Sequence, residues 1–261
     1  MQKLREHRRI TMRWDNDIYR EKFGFKTQQG LELVAQLTPV PGKLLEIGSE
    51  TGILSYQLWK MGYTVEGIEF DYKLVDMARR TTAKSVFYEG DVDDVLLYED
   101  NYSMAIANDV LHKIPEALQD YFIENVFNSL KVGAELTFNT GAPGNNRQIE
   151  DALAKCFADE GLEYPGRFYP EAGKYEQRLT SAGFDVERVV RTENTQQIPG
   201  EDGLAWYIEM MYRDVFPKKQ DELAERIIAN AAEKLTTELF DGDKWTIPQV
   251  RLVGKVVKPE Q

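Results

Sequence analysis

The sequence predicts an α/β fold: a doubly wound, mostly parallel seven-stranded sheet with helical cap insertions. Three observations predict it. Short apolar segments of strand length alternate with amphipathic helical ones from about residue 28 to 141, the order that βαβ units impose. A glycine-bearing turn, Gly48 to Gly52, joins the first of those strands to the helix after it. Beyond Gly141 the alternation gives way to longer helical stretches between the last strands.

Taken in order, a first helix is predicted over 27–38, ended by the turn Pro39-Val40-Pro41-Gly42. The first strand is 43–48 (KLLEIG), and the helix over 51–61 places Ile53, Leu54, Leu58 and Met61 on one side. The second strand is 63–70, backed by a helix over 72–81, and a third strand over 86–88 ends at Gly90-Asp91. The fourth strand starts at 104–107. A helix over 116–130 then sets Leu118, Phe122, Val126 and Leu130 four apart, a core-facing stripe. The fifth strand is 134–139. Residues 145–160 read as helix, 164–170 as an aromatic, proline-containing loop, 175–182 as helix stopping at Gly183, and 184–191 as a sixth strand. Two helices follow, 203–216 and 219–239, the second with Leu223, Ile227, Ala231, Leu235 and Leu239 at spacing four, before a closing strand at 250–257. With no repeats or low-complexity tracts, the expectation is a single domain over 1–261, with an N-terminal helical arm or lid (1–26) and helical caps at 142–174 and 199–245.

Composition removes several classes of function. The chain has 32 Lys+Arg, 44 Asp+Glu, one Cys and two His, for a net charge of −12. One cysteine permits no internal disulfide framework and no multi-cysteine metal site, and His7 and His112 cannot form a multi-histidine centre, so no metal is expected. The apolar runs fall far short of the roughly 20 residues a membrane helix needs, and the N-terminus has no apolar leader. These features lead to the expectation of a cytoplasmic protein in a reducing compartment. An acidic surface repels phosphate backbones and makes nucleic acid an unlikely partner. Lys3, Arg5, Arg8, Arg9 and Arg13 against Glu6 give residues 1–13 a net +4, leaving −16 for the rest. That segment reads either as an arm for RNA, membrane or a receptor, or as a solvated leader before the first packed helix.

The most informative stretch is Glu46-Ile47-Gly48-Ser49-Glu50-Thr51-Gly52. A strand running through a glycine turn into a helix brings backbone N–H groups and a helix N-terminus beside a ligand. Gly48 permits a tight turn and close approach, Gly52 close helix–strand packing. Glu46 suits an acceptor for a cationic or N–H-bearing group. Glu69, about twenty residues on and at the end of the second strand, can accept from both hydroxyls of a ribose. Asp91, ending the third strand, can accept from an adenine amino group while Val92 covers the ring. Each has a plainer alternative: a ligand-free turn, an exposed carboxylate and a loop acid. All three places fall at strand carboxyl ends, where open α/β sheets bind ligands.

At these residues the sequence resembles the class I S-adenosylmethionine-dependent methyltransferases. Leu45-Glu46-Ile47-Gly48 with Thr51-Gly52 is similar to that family's first motif, Val65 to Glu69 to its acidic second strand, and Glu89-Gly90-Asp91 to its third motif. Ala107 to Pro115 resembles its fourth-strand segment, Leu130 to Ala134 the turn before strand five, and Leu179 to Phe184 the step before strand six. More narrowly, Trp14-Asp15 with Tyr19, Phe168-Tyr169-Pro170, Gly203 to Trp206 and Val250-Arg251-Leu252 resemble the trans-aconitate-methyltransferase-like small-molecule group. Two departures stand out. Glu50 replaces the family's usual middle glycine, where it would repel the cofactor's carboxylate or alter its pose, and Ser103 stands where many members have Asp.

The resemblance implies a Rossmann-like methyltransferase fold and S-adenosyl-L-methionine as cofactor. It places Glu46, Gly48, Ser49, Gly52, Glu69, Phe70, Asp91, Val92, Asn108 and Asp109 at that cofactor, with Tyr19 closing over it. It also implies in-line transfer of a methyl group to an oxygen or nitrogen of a small-molecule acceptor, in which alignment contributes up to roughly 7–11 kcal/mol. Asn108 is assigned to positioning, or to its local turn. His112 is the one histidine placed to act as a base, or is a core histidine; a carboxylate acceptor needs no base. Tyr169, Trp206, Tyr207 and Met210 line the expected acceptor pocket, or simply pack the core. The competing readings are a binding or regulatory protein on the same fold, motivated by Glu50, and an RNA methyltransferase using the basic arm. A dinucleotide oxidoreductase is disfavoured because G-x-x-x-G departs from G-x-G-x-x-G.

Overall fold

The computed structural model describes residues 16–90, 100–217 and 220–260. His7, the basic segment 1–13, Trp14-Asp15, Asp91 and Val92 therefore lie outside the described residues. The chain divides into two compact units. Over the described residues, the sheet unit falls within Phe23–Arg147, Gly166–Gln196 and 247–260, and the helical unit within 16–22, Gln148–Pro165 and Gln197–Thr246.

The order of elements is α1 (Asn16–Val34), β1 (Lys43–Ile47), α2 (Ile53–Lys60), β2 (Thr64–Glu69), α3 (Tyr72–Thr81), β3 (Val86–Glu89) and β4 (Tyr102–Asn108). There follow α4 (Gln119–Ser129), β5 (Leu130–Gly141), α5 (Arg147–Asp159), α6 (Ala172–Ser181), β6 (Asp185–Pro199), α7 (Gly203–Tyr212), α8 (Asp221–Leu239) and β7 (Lys244–Val257). The seven strands form one sheet in the order β3-β2-β1-β4-β5-β7-β6. β3, β2, β1, β4 and β5 run parallel, and β7 pairs with β5 antiparallel. This is the predicted doubly wound α/β sheet, with the order reversing between β1 and β4, where such sheets open a crevice at their carboxyl ends.

Strand alternation sorts the apolar residues of the central strands onto two faces. Leu44, Val65, Met104 and Ile106 pack with Leu33, Leu54 and Leu58. Leu45, Ile47, Ile68, Ala105 and Ala107 face the opposite layer with Phe122, Ile123 and Val126 of α4. Each large aliphatic side chain so buried contributes about 1.5–3 kcal/mol.

Several elements differ from their predicted bounds. The first helix runs from Asn16 to Val34 and not 27–38. Its end comes early because Thr38 is drawn to β5: its N–H and hydroxyl donate to Glu135 at 2.6 and 2.9 Å. Residues 116–118 form a 3-10 turn ahead of α4, whose Gln119 amide donates to the Leu111 and Ile114 carbonyls at 2.8 and 2.9 Å. β7 begins six residues before the predicted 250. Its buried face includes Gln249 and Arg251, so its two-residue period is not a period of hydrophobicity. No helix among the described residues is long and apolar enough to cross a membrane.

Candidate active site

β1 runs into Gly48 with φ 78°, and Glu50 and Gly52 follow with φ 46° and 73°. The turn is fastened to β2 by the Gly48 and Ser49 N–H groups, which donate to the Ile68 carbonyl at 2.9 and 3.0 Å. A Cβ on Gly48 would stand 3.0 Å from that of Val110, and one on Gly52 would stand 2.9 Å from the Ala78 Cα. Gly52 thus allows α2 to start against α3, not against a strand as expected. Glu69 holds the same turn from the other side. One of its carboxylate oxygens accepts the Glu50 N–H at 2.9 Å, and the other accepts Phe70 and Asp71 N–H at 2.9 and 3.0 Å. Each carboxylate oxygen keeps accepting capacity beyond these bonds. Burial raises the Glu69 pKa, against those hydrogen bonds and the pull of Lys113.

Glu46, at the end of β1, is 2% exposed. Burial pushes its carboxyl up to about 8, with Glu50 and Glu69 adding to the effect and the Ser55 hydroxyl, which donates to it, opposing. At neutral pH it therefore retains a proton, and can donate as well as accept. The hydroxyls of Ser49 and Thr51 and the amide oxygen of Asn108 are buried and find no hydrogen-bond partner among the described residues.

A buried ionic cluster lies at the end of β4. Lys26 of α1, 1% exposed, pairs with Glu50 and, at 3.1 Å, with Asp109. The other oxygen of Asp109 takes Arg251 of β7, whose Nε donates to Asn139 of β5 at 2.9 Å. The Asn108 amide donates to the Lys26 carbonyl at 2.8 Å. Burial opposes the charge on Asp109, yet Arg251 and Lys26 outweigh it and hold the carboxyl well below its usual range. Burial likewise opposes the charge on Lys26, and Glu50 and Asp109 reverse that and raise its pKa. Glu50 is thus one half of an ion pair with Lys26.

His112 is buried in the same region. Its Nδ1 lies 2.9 Å from the Thr140 hydroxyl and accepts the Gly141 N–H at 3.2 Å, which assigns the ring proton to Nε2. Burial, with Arg167, Arg251 and Lys113 nearby, holds its pKa well below the ordinary value despite Asp109. The ring stacks on Tyr169, centroids 5.7 Å apart at 16°. A neutral imidazole with Nδ1 engaged offers a donor, Nε2–H, and no free basic nitrogen in this tautomer.

The sheet unit thus brings together Glu46, Gly48, Ser49, Gly52 and Glu69 around one turn, with Phe70 beside it, and Asn108, Asp109, His112 and Tyr169 around the end of β4. Tyr19, Trp206, Tyr207 and Met210 belong to the helical unit. All four are buried, and the Trp206 indole donates to Asp202 at 2.9 Å. Sequence reasoning missed Lys26, Asn139 and Thr140, and gave Arg251 no role. The signals were a lysine on the helical stripe Tyr19, Phe23, Gly30, Leu33 and an arginine inside an apolar closing strand.

A glycine turn fastened by a strand-end carboxylate, at the switch point of a doubly wound sheet, defines a nucleotide-cofactor-binding α/β protein. The chain belongs to the methyltransferase domain family, whose model matches residues 19–189. It is a methyltransferase, and the family's methyl donor is S-adenosylmethionine. No curated protein matches the chain. Among solved structures, it is similar to a Bacillus halodurans protein described as a methyltransferase, with 16% identity, TM-score 0.58, and coverage of 90% of this chain and 99% of the other. An S-adenosylmethionine-dependent methyltransferase of Mesorhizobium loti gives 17%, 0.53, 87% and 96%. Phosphoethanolamine N-methyltransferase 2 of Haemonchus contortus, in complex with phosphomonomethylethanolamine and S-adenosylhomocysteine, gives 14%, 0.55 and 89%, the chain spanning 53% of its length. At these identities the likeness is one of fold. The residues present fit an adenosyl cofactor: Glu69 has acceptor capacity at the end of β2, and Ser49, Thr51 and Asn108 carry buried polar atoms with no partner among the described residues.

Proposed function

We propose that the chain methylates an oxygen or nitrogen of a small-molecule acceptor. The observation that carries this reading is the set of buried groups, Ser49 Oγ, Thr51 Oγ1 and Asn108 Oδ1, that have no hydrogen-bond partner among the described residues. Buried polar atoms without partners cost about 1–3 kcal/mol each, a cost that a ligand relieves. When bound, S-adenosylmethionine supplies the electrophilic methyl group. Glu69 holds the ribose hydroxyls, Ser49 and Thr51 hydrogen-bond the cofactor from the turn, and Asn108 orients cofactor or acceptor. Asp91 and Val92 keep their proposed adenine role.

Neutral His112 orients the acceptor through Nε2–H more readily than it removes a proton. That suits an acceptor already ionised, such as a carboxylate, and agrees with the narrower resemblance to trans-aconitate-methyltransferase-like enzymes. Tyr169 is proposed to pack against such an acceptor. Trp206, Tyr207 and Met210 keep their proposed acceptor role, and Tyr19 its proposed cofactor role. The regulatory reading draws on Glu50, which pairs with Lys26. The RNA reading draws on residues 1–13, outside the described residues.

The test is transfer of isotope-labelled methyl from S-adenosylmethionine to a panel of small carboxylates, alcohols, phenols and amines. Labelled product from a small molecule, reduced at least tenfold in Asn108→Ala, supports the proposal. Tight cofactor binding with no product from any acceptor overturns it in favour of a binding protein.

A further inference from the structure

Thr140 is fully buried near the end of β5, and its hydroxyl meets His112 twice. Its Oγ1 accepts the His112 main-chain N–H at 3.0 Å and lies 2.9 Å from the ring Nδ1. The next residue, Gly141, donates its own N–H to that Nδ1 at 3.2 Å. Nδ1 is therefore the accepting nitrogen of the ring, since a proton there would point at the Gly141 N–H. It follows that the Thr140 hydroxyl, which accepts from the His112 main chain, turns its own proton to Nδ1. One side chain thus anchors both the backbone and the ring of the same histidine.

The ring plane is set as well. Tyr169 stacks on it at 16°, with centroids 5.7 Å apart. It reaches that place because residue 141 has no side chain: a Cβ on Gly141 would stand 2.6 Å from Tyr169 Cε1. Burial, together with Arg167, Arg251 and Lys113, outweighs Asp109 and keeps the imidazole neutral. What remains is Nε2–H, which donates to none of the described residues. A donor of fixed direction is left for a lone pair on a ligand.

We infer that Thr140 is a positioning residue for methyl transfer: with the Gly141 N–H it holds His112 as the Nε2–H tautomer, so that His112 meets the acceptor as a hydrogen-bond donor. The inference rests on the reading that His112 orients the acceptor, and it adds the residue that fits His112 for that task. With Nδ1 protonated instead, Nε2 would present a lone pair and repel the lone pairs of the oxygen or nitrogen to be methylated.

The test joins a spectrum to a rate. Long-range proton–nitrogen NMR spectra of the isotope-labelled full chain report the tautomer of each histidine. The sequence has only His7 and His112, and His112→Phe assigns the signals. Transfer is measured with labelled S-adenosylmethionine and whichever carboxylate, alcohol, phenol or amine of the panel takes most label. Wild type should show His112 as Nε2–H. Thr140→Val should move the tautomer ratio about tenfold toward Nδ1–H and lower kcat/KM for the acceptor about tenfold. Its dissociation constant for S-adenosylhomocysteine should stay within about twofold of wild type. Thr140→Ser keeps the hydroxyl and should rescue both the tautomer and the rate. An Nδ1–H ring in wild type overturns the inference without any variant, so folding of the variants does not decide the matter. A rate loss in Thr140→Val with the tautomer unchanged also overturns it, making Thr140 a packing residue. So does a shifted tautomer with an unchanged rate, which leaves the methyl-transfer reading intact. A His112→Phe variant with the wild-type rate removes the reading that His112 meets the acceptor, and the inference with it.

Discussion

Asp109 carries a charge where burial alone would neutralise it, because two cations reach it from positions 83 and 142 residues away in sequence. Removing one partner of such a buried pair leaves an uncompensated charge and costs about 3–5 kcal/mol. Arg251→Met should lose that much in urea denaturation, and adding Asp109→Asn should restore much of it; a double variant no more stable than the single one refutes the coupling. Glu46 behaves in the opposite sense. Its folded pKa of about 8 lies above the ordinary 4.5. Between those values the unfolded chain has released the proton that the folded one keeps, so the contribution of Glu46 to stability falls as pH rises from 4.5 to 8. Glu46→Gln keeps an oxygen for the Ser55 hydroxyl and abolishes this dependence. Its stability relative to wild type should therefore rise by a few kcal/mol between pH 5 and pH 8, since each tenfold change in proton affinity is worth about 1.4 kcal/mol. A difference constant with pH contradicts the assignment.

At the scale of elements, the turn after β1 depends on what its glycines touch. An alanine at Gly52 would combine φ of 73° with a Cβ 2.9 Å from the Ala78 backbone, whereas Gly62 has φ of 98° with nothing within 4 Å. Gly62→Ala should cost about 1–2 kcal/mol from strain alone. Gly52→Ala should cost about 1–3 kcal/mol more, because α2 must move from α3; equal losses in denaturant midpoint would show that the close approach is immaterial. The same contrast explains which elements are legible in the sequence. β1 and β4 are buried, largely apolar runs and declare themselves. β7 buries Gln249 and Arg251, and the predicted strand is accordingly short. The pattern starts the first helix too late because its stripe includes Lys26, which reads as surface, and Gly30 shares that stripe. They are buried only because the ion pair and the close Leu54 contact require it.

For the whole molecule, the checkable consequence is linkage between cofactor and folding. A ligand at 100 times its dissociation constant stabilises by about 2.7 kcal/mol, a rise of about 5–10 °C in melting temperature for a chain of this size. S-adenosylmethionine and S-adenosylhomocysteine should each give such a shift, and nicotinamide dinucleotides none; the reverse pattern would overturn the choice of cofactor.

What the sequence by itself determined was everything that rests on local order: the alternation of strands and helices, the glycine turn, the spacing from Glu46 to Glu69, and with them the class of fold; the cofactor followed from the family resemblance that these residues carry. These survive reading along the chain because backbone sterics and hydrophobic periodicity act over a few residues. Only the tertiary structure decided the charges. Lys26, Glu50, Asp109 and Arg251 lie on four separate segments, and whether each is a solvated charge or a buried partner depends on which of the others stands within about 3 Å. Coulombic pairing in a buried site is set by distance in space, and separation along the sequence carries no information about it.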